Sequence, residues 1–370
     1  MRSSTPAFNT GNGRNYSFLT EFRHCCMIYK ISLRTGIFAL PVPLRVEMKR
    51  FIAFCFVFIF AFGISGCDGG DTAADNNKGL TIAATVFPAY DFACEIGGER
   101  VNVTLLVPPG SESHSYEPTP QDILLLGRCD LLVANGGESE AWLDTVTEGL
   151  DFPVETLYML DCVQALEEET KDGMQTGGIL SRGQDEHDQD DGDEIEYDEH
   201  VWTSPANAIL ICSAVCERLC AIDPDGEEYY RNNCAEYTAK LRELDESFRS
   251  VVESSTRKTL IFADRFPVRY FVEEYGLDYY AAFLGCADDA EPSARTVAFL
   301  IDKVREEDIP AVFYIEFSNQ KMADIICEET GCEKLLFHSC HNITADELAQ
   351  GVSYYELMER NLANVKEALG

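Results

Sequence analysis

GEEYYRNNCAEYTAKLRELDESFRSVVE, residues 226–253, carries an apolar stripe on an otherwise charged background. Cys234, Tyr237, Leu241, Leu244, Phe248 and Val251 recur at alternating steps of three and four, the period of one helical face. At 1.5 Å per residue such a helix spans roughly 40 Å, long enough to run beside two lobes. A rigid connector of this kind predicts limited domain closure.

Short apolar runs alternate with helical patterns on both sides of it. Upstream, residues 80–87, 101–107 and 130–134 read as strands, with helices over 88–96 and 121–127. Downstream, residues 258–263, 279–283, 310–315 and 334–337 read as strands. Ser293 caps a helix whose Val297, Leu300, Ile301 and Val304 share one face. The expected fold class is α/β: two lobes, each with a mostly parallel four-stranded sheet flanked by helices, joined by one long rigid helix. The boundaries are 80–225 for the N-terminal lobe, 226–254 for the linking helix and 255–370 for the C-terminal lobe. Residues 167–199, rich in Gly, Asp and Glu and poor in apolar side chains, read as a disordered acidic insertion in the first lobe. Its 185–199 stretch, with His187, reads either as a weak cation trap or as a solvated acidic loop.

Ahead of the lobes, residues 48–67 have the form of a lipoprotein signal. Lys49 and Arg50 are followed by an apolar run from Phe51 to Phe62, then by Ile64-Ser65-Gly66-Cys67. The run is short for a membrane span, which needs roughly 20 residues. Residues 68–79 read as a tether, and residues 1–47 as an N-terminal extension from a start assigned too early. This predicts an extracytoplasmic protein, lipid-anchored through Cys67 to the outer face of the cell membrane.

The formal net charge of −35 repels nucleic acid and draws in cations. Eleven cysteines follow Cys67, an odd number for an exported chain, and no CxxC pair occurs. Cys212, Cys216 and Cys220 stack on one helical face, so buried thiols are favoured over a disulfide framework.

Histidines are few: beyond the leader and the acidic segment there are His114, His200, His338 and His341. His114 follows the strand ending near Val107, His338 follows Phe337, and His200 precedes a helix. Asp264 and Glu316 also end strands. In open α/β sheets ligands bind beyond the carboxyl ends of strands, so these groups are placed to converge on one cleft. Imidazole suits zinc and other first-row metals.

Pro109-Gly110…His114-Ser115-Tyr116-Glu117-Pro118 and Glu199-His200-Val201-Trp202-Thr203-Ser204-Pro205 resemble the first two ligand motifs of the metal-binding lipoproteins of zinc and manganese ABC importers. Tyr270-Phe271, Glu291-Pro292-Ser293, Ile315-Glu316 and Tyr354…Asn361 also match, and the likeness covers residues 80–369 in order. It implies two lobes with a metal buried between them, a membrane ABC permease as partner, and no enzymatic activity. Two departures stand out. Where relatives carry a third histidine or a glutamate, this chain reads Phe262-Ala263-Asp264-Arg265-Phe266. Where they usually carry an aspartate, it reads Phe337-His338-Ser339-Cys340-His341-Asn342.

The ligand set inferred is His114, His200 and His338, with His341, Asp264 or water completing a tetrahedron. His341 reads equally as a fourth ligand, a partner behind the ligands or a surface residue. Glu117 and Glu316 read as orienting carboxylates, or Glu316 as a partner of Arg265. Three nitrogens favour Zn2+ over Mn2+. The chain is expected to act as a monomer. The alternatives are a surface adhesin with a structural metal and a zinc-dependent hydrolase, the latter disfavoured by the absence of an HExxH motif.

Overall fold

The structure, a computed structural model, describes residues 79–111, 116–150, 153–175, 196–285 and 293–370. The extension, the signal with Cys67, the tether as far as residue 78, His114, His187, Cys286, Glu291, Pro292 and residues 176–195 of the acidic segment lie outside these residues.

The first sheet begins with β1 (Leu80–Ala84), followed by α1 (Phe87–Gly97) and β2 (Val101–Leu105). Next come α2 (Pro120–Leu126), β3 (Leu131–Ala134), α3 (Trp142–Glu148) and β4 (Thr156–Tyr158). Its strand order is β2-β1-β3-β4, every pair parallel. The central strands are buried on both faces, which explains why Ile82-Ala83-Ala84 and Leu131-Leu132-Val133-Ala134 are unbroken apolar runs. β4, only three residues long, has too little pattern to be read from sequence.

Helix α4 (Pro205–Ile222) leads into α5 (Glu227–Ser254). Ser204 caps α4, its hydroxyl accepting from Asn207 N, and Cys212, Cys216 and Cys220 lie buried on one face as expected. All ten cysteines among the described residues are free thiols. α5 fits the expected span to one residue. Its buried face is Tyr230, Tyr237, Leu241, Leu244, Phe248 and Val252, so Val252 takes the place expected for Val251. A 3.6-residue turn drifts against a strict three–four repeat, and the stripe moves on by one position. The Tyr237 hydroxyl donates to Asp91 Oδ2 at 2.9 Å, tying α5 to α1.

The second sheet repeats the first: β5 (Thr259–Phe266), α6 (Arg269–Tyr275), β6 (Asp278–Leu284), α7 (Ala294–Glu306), β7 (Ala311–Tyr314), α8 (Lys321–Thr330) and β8 (Glu333–Leu336). The order is β6-β5-β7-β8, again parallel throughout. Helices α9 (Ala345–Gln350) and α10 (Tyr354–Leu369) close the chain. In both sheets the direction of winding reverses between the first and third strands, β1/β3 and β5/β7. Those reversals open a crevice at the strands' carboxyl ends.

The acidic segment is better ordered at its ends than its composition suggests. Glu167 pairs with Tyr197 in an antiparallel bridge, and Asp198 N donates to Leu166 O at 2.9 Å. Gln175 bridges to Phe283 at the edge of the second sheet, with Gln175 N donating to Ala282 O at 2.8 Å. The Lys171 ammonium pairs with Asp278 and lies 4.3 Å from the centre of the Tyr279 ring. Pairing of Glu167 with Tyr197, pairing of Gln175 with the sheet edge, and packing of Met174 against the core order these residues, which composition does not reveal.

Candidate metal site

His200 sits just before the short 3-10 turn Val201–Thr203 and is buried. Its backbone N donates to Asp198 Oδ1 at 2.8 Å, and its ring Nδ1 lies 3.2 Å from the same oxygen. Burial opposes a charge on this ring, but the Asp198 carboxylate, together with Glu199 and Glu168, more than offsets it, and the His200 pKa is raised. With Nδ1 facing Asp198, a metal at this ring would be coordinated through Nε2.

The loop after β3 supports this residue from below. Asn135 Nδ2 donates to Glu199 O at 2.9 Å, while Ser139 N and its hydroxyl both donate to the Glu199 carboxylate. Gly137 has φ +94, and a Cβ there would meet Glu199 Oε1 at 2.4 Å. Only glycine fits.

From the second sheet, Arg265 reaches the crevice across a register shift between Phe262 and Arg265 in the β5–β6 pairing. Glu316 follows β7, and its carboxylate accepts from Ser339 N at 2.7 Å and from the Ser339 hydroxyl. The segment after β8 turns sharply at Cys340, whose φ is +63. Cys340 N donates to His338 Nδ1 at 3.0 Å, and His338 is further held by Asn361, which accepts from its N and donates to its O.

One small cavity, about 20 Å³ and so with room for one water or one bare cation, is lined by residues from both lobes. His200, Arg265, Glu316, Ser339, His341 and Ser111 are among them. The His200 and His341 rings meet edge-on at 5.2 Å, and Trp202 lies 5.1 Å from His341. Trp202 Nε1 donates to Ser339 O at 2.8 Å. Asn342 Nδ2 donates to Pro108 O and Ser111 O, and Gly110 N donates to Ile343 O at 2.8 Å, fastening residues 108–111 beside His341.

The expected residues therefore divide. His200 and His341 share the cavity; His338 is not part of its lining. Asp264 accepts from Arg265 N instead of facing the cavity, and Glu117 is exposed. Among the described residues no three His, Cys, Asp or Glu side chains gather closely enough to hold a metal. Asp198 and Asn135 were missed by sequence reasoning; a carboxylate two residues before His200 was the available signal for the first.

A family model described as the periplasmic component A of the zinc-uptake complex matches residues 82–368. The chain belongs to this family. It is a solute-binding component of zinc ABC import. ZnuA of the high-affinity zinc uptake system of Bacillus subtilis strain 168 is 29% identical over 322 residues, 86% of this chain and 96% of that protein. The zinc-binding lipoprotein AdcA of Streptococcus pneumoniae is 28% identical over 289 residues, 78% of this chain but only 55% of AdcA, so the chain spans about half of that relative. The Zn(II)-bound ZnuA-like domain of the same AdcA superposes with a TM-score of 0.64 at 27% identity, covering 79% of this chain and 99% of that domain. The two parallel sheets joined by α5 agree with this architecture.

Proposed function

We propose that this chain captures a zinc ion outside the cytoplasm through His200, His341 and His114, and releases it to the membrane permease of an ABC importer. The observation that carries the reading is the shared cavity: Ser111 lines it beside His200 and His341, and His114 follows three residues further along the chain. Three neutral imidazoles with a water or the Glu316 carboxylate give the four-coordinate, nitrogen-rich sphere that zinc favours and manganese does not.

Where the resembled motif carries a third histidine or a glutamate, this chain reads Phe262-Ala263-Asp264-Arg265-Phe266. His341, delivered by the turn at Cys340, supplies the missing nitrogen from another strand end. Asp198 fixes the His200 tautomer. His338 acts on the backbone, holding the turn that presents His341. The acidic surface raises the local cation concentration, the lipid on Cys67 keeps the monomer beside its permease, and no catalytic step is assigned to the site.

Zinc K-edge absorption of the loaded protein tests the ligand set. Three histidine nitrogens at about 2.0–2.1 Å are expected, falling to two in His341→Ala. A sphere of oxygens alone, or one unchanged in His341→Ala, refutes it.

A further inference from the structure

Helix α8 ends at Gly331, whose φ is +81 and whose N donates to Cys327 O at 2.8 Å. This is the left-handed glycine cap, a geometry that folds the residue after the glycine back over the last full turn of the helix. There it usually makes an apolar contact with the residue five positions earlier. In this chain both positions are cysteines. Cys327 Sγ and Cys332 Sγ lie 3.5 Å apart, and both residues are half-buried, within reach of a small reagent.

We propose that Cys327 and Cys332 form a reversible oxidation site, closing to a disulfide when the protein meets a low-molecular-weight or protein disulfide outside the cytoplasm. One thiolate attacks a sulfur of the oxidant R–S–S–R′, expelling R–S⁻ and leaving a mixed disulfide. The second thiolate attacks the protein sulfur of that bond and expels R′–S⁻. The two cysteines are oxidised, the oxidant is reduced to two thiols, and two protons are lost from the protein. Burial, with Cys332 next to it, pushes the Cys327 thiol up to about 12, so attack by Cys327 quickens as pH rises.

The location gives the bond a role. α8 is preceded by Glu316 and Phe317, and β8 runs on to Ser339 and His341, all of which line the cavity. A cross-link at the α8–β8 turn holds the two arms that carry this half of the site.

Cys327 and Cys332 fall in one tryptic peptide, Met322–Lys334. The full protein is incubated with oxidised glutathione at pH 8, then alkylated and mapped. The expected result is that this peptide alone loses two mass units, resists alkylation, and takes up two alkyl groups after reduction. Reduction is further expected to lower the Tm of the oxidised protein by a few degrees, a shift absent in Cys327→Ser. A peptide that stays fully alkylated, or that carries glutathione on either cysteine, overturns the proposal, as does an equal Tm shift in Cys327→Ser.

Discussion

The imidazoles of His200 and His341 stand edge-on, 5.2 Å between centroids and 89° between planes, one from the first lobe and the other from the segment after β8. Neither lobe alone has this pair. The contact is held from both sides, by Asp198 on His200 and by the Trp202–Ser339 and Asn342–Pro108 bonds around His341. The pair is held in place by packing and hydrogen bonds of the protein alone.

Asp198 orients His200 without facing the cavity. Asp198→Ala is expected to weaken zinc binding by roughly 10–100-fold, the usual cost of losing a carboxylate behind a metal-bound histidine. Competition against a fluorescent zinc chelator measures it. Unchanged affinity means that His200 does not need the carboxylate to hold its tautomer.

Gly137 serves the site through Glu199. An alanine there combines an unfavourable φ of +94 with a contact at 2.4 Å, costing about 1–3 kcal/mol. Calorimetric melting of Gly137→Ala should show a Tm several degrees lower, with weaker zinc binding because residues 198–200 shift. A variant as stable as the parent contradicts the packing described.

The part of the stability that Asp91 and Glu140 contribute should fall as pH rises from about 4 to about 7. Burial, then the neighbouring Glu95, pushes the Asp91 carboxyl from 3.8 up to about 7, partly opposed by the Tyr237 hydrogen bond. Burial does the same to Glu140, also to about 7. In that window the folded chain binds protons that the unfolded chain has lost, so each group removes up to about 1.4 kcal/mol per pH unit as pH climbs. Asp91→Asn keeps a neutral partner for Tyr237 and should flatten the profile in urea titrations at pH 5 and pH 7. Equal slopes in variant and parent would assign the effect elsewhere.

Much of the fold was legible because its periods are strong. The α5 stripe and the apolar runs of β1, β3, β5 and β7 placed both sheets and the connector to within a few residues. What escaped depended on backbone conformations that composition does not encode. The register shift before Arg265 lengthens β5 beyond Ala263 and turns Arg265 into the crevice. The ordered ends of the acidic segment rest on the pairing of Glu167 with Tyr197 and of Gln175 with Phe283.

The histidine pair turns on the same point. An extended reading of residues 337–342 favours His338 because it stands nearest the strand end. Cys340 instead adopts φ +63, a conformation that non-glycine residues seldom take. That turn occupies His338 Nδ1 with the Cys340 N–H and carries His341 into the cavity. His200 lines the same cavity from just before the Val201–Thr203 turn.

The most direct measurement is calorimetric titration of zinc into metal-free protein and its His341→Ala and His338→Ala variants. One tight site is expected in the parent, lost by more than roughly 100-fold in His341→Ala and largely kept in His338→Ala. Parent-like affinity in His341→Ala, with binding abolished in His338→Ala, would contradict this expectation.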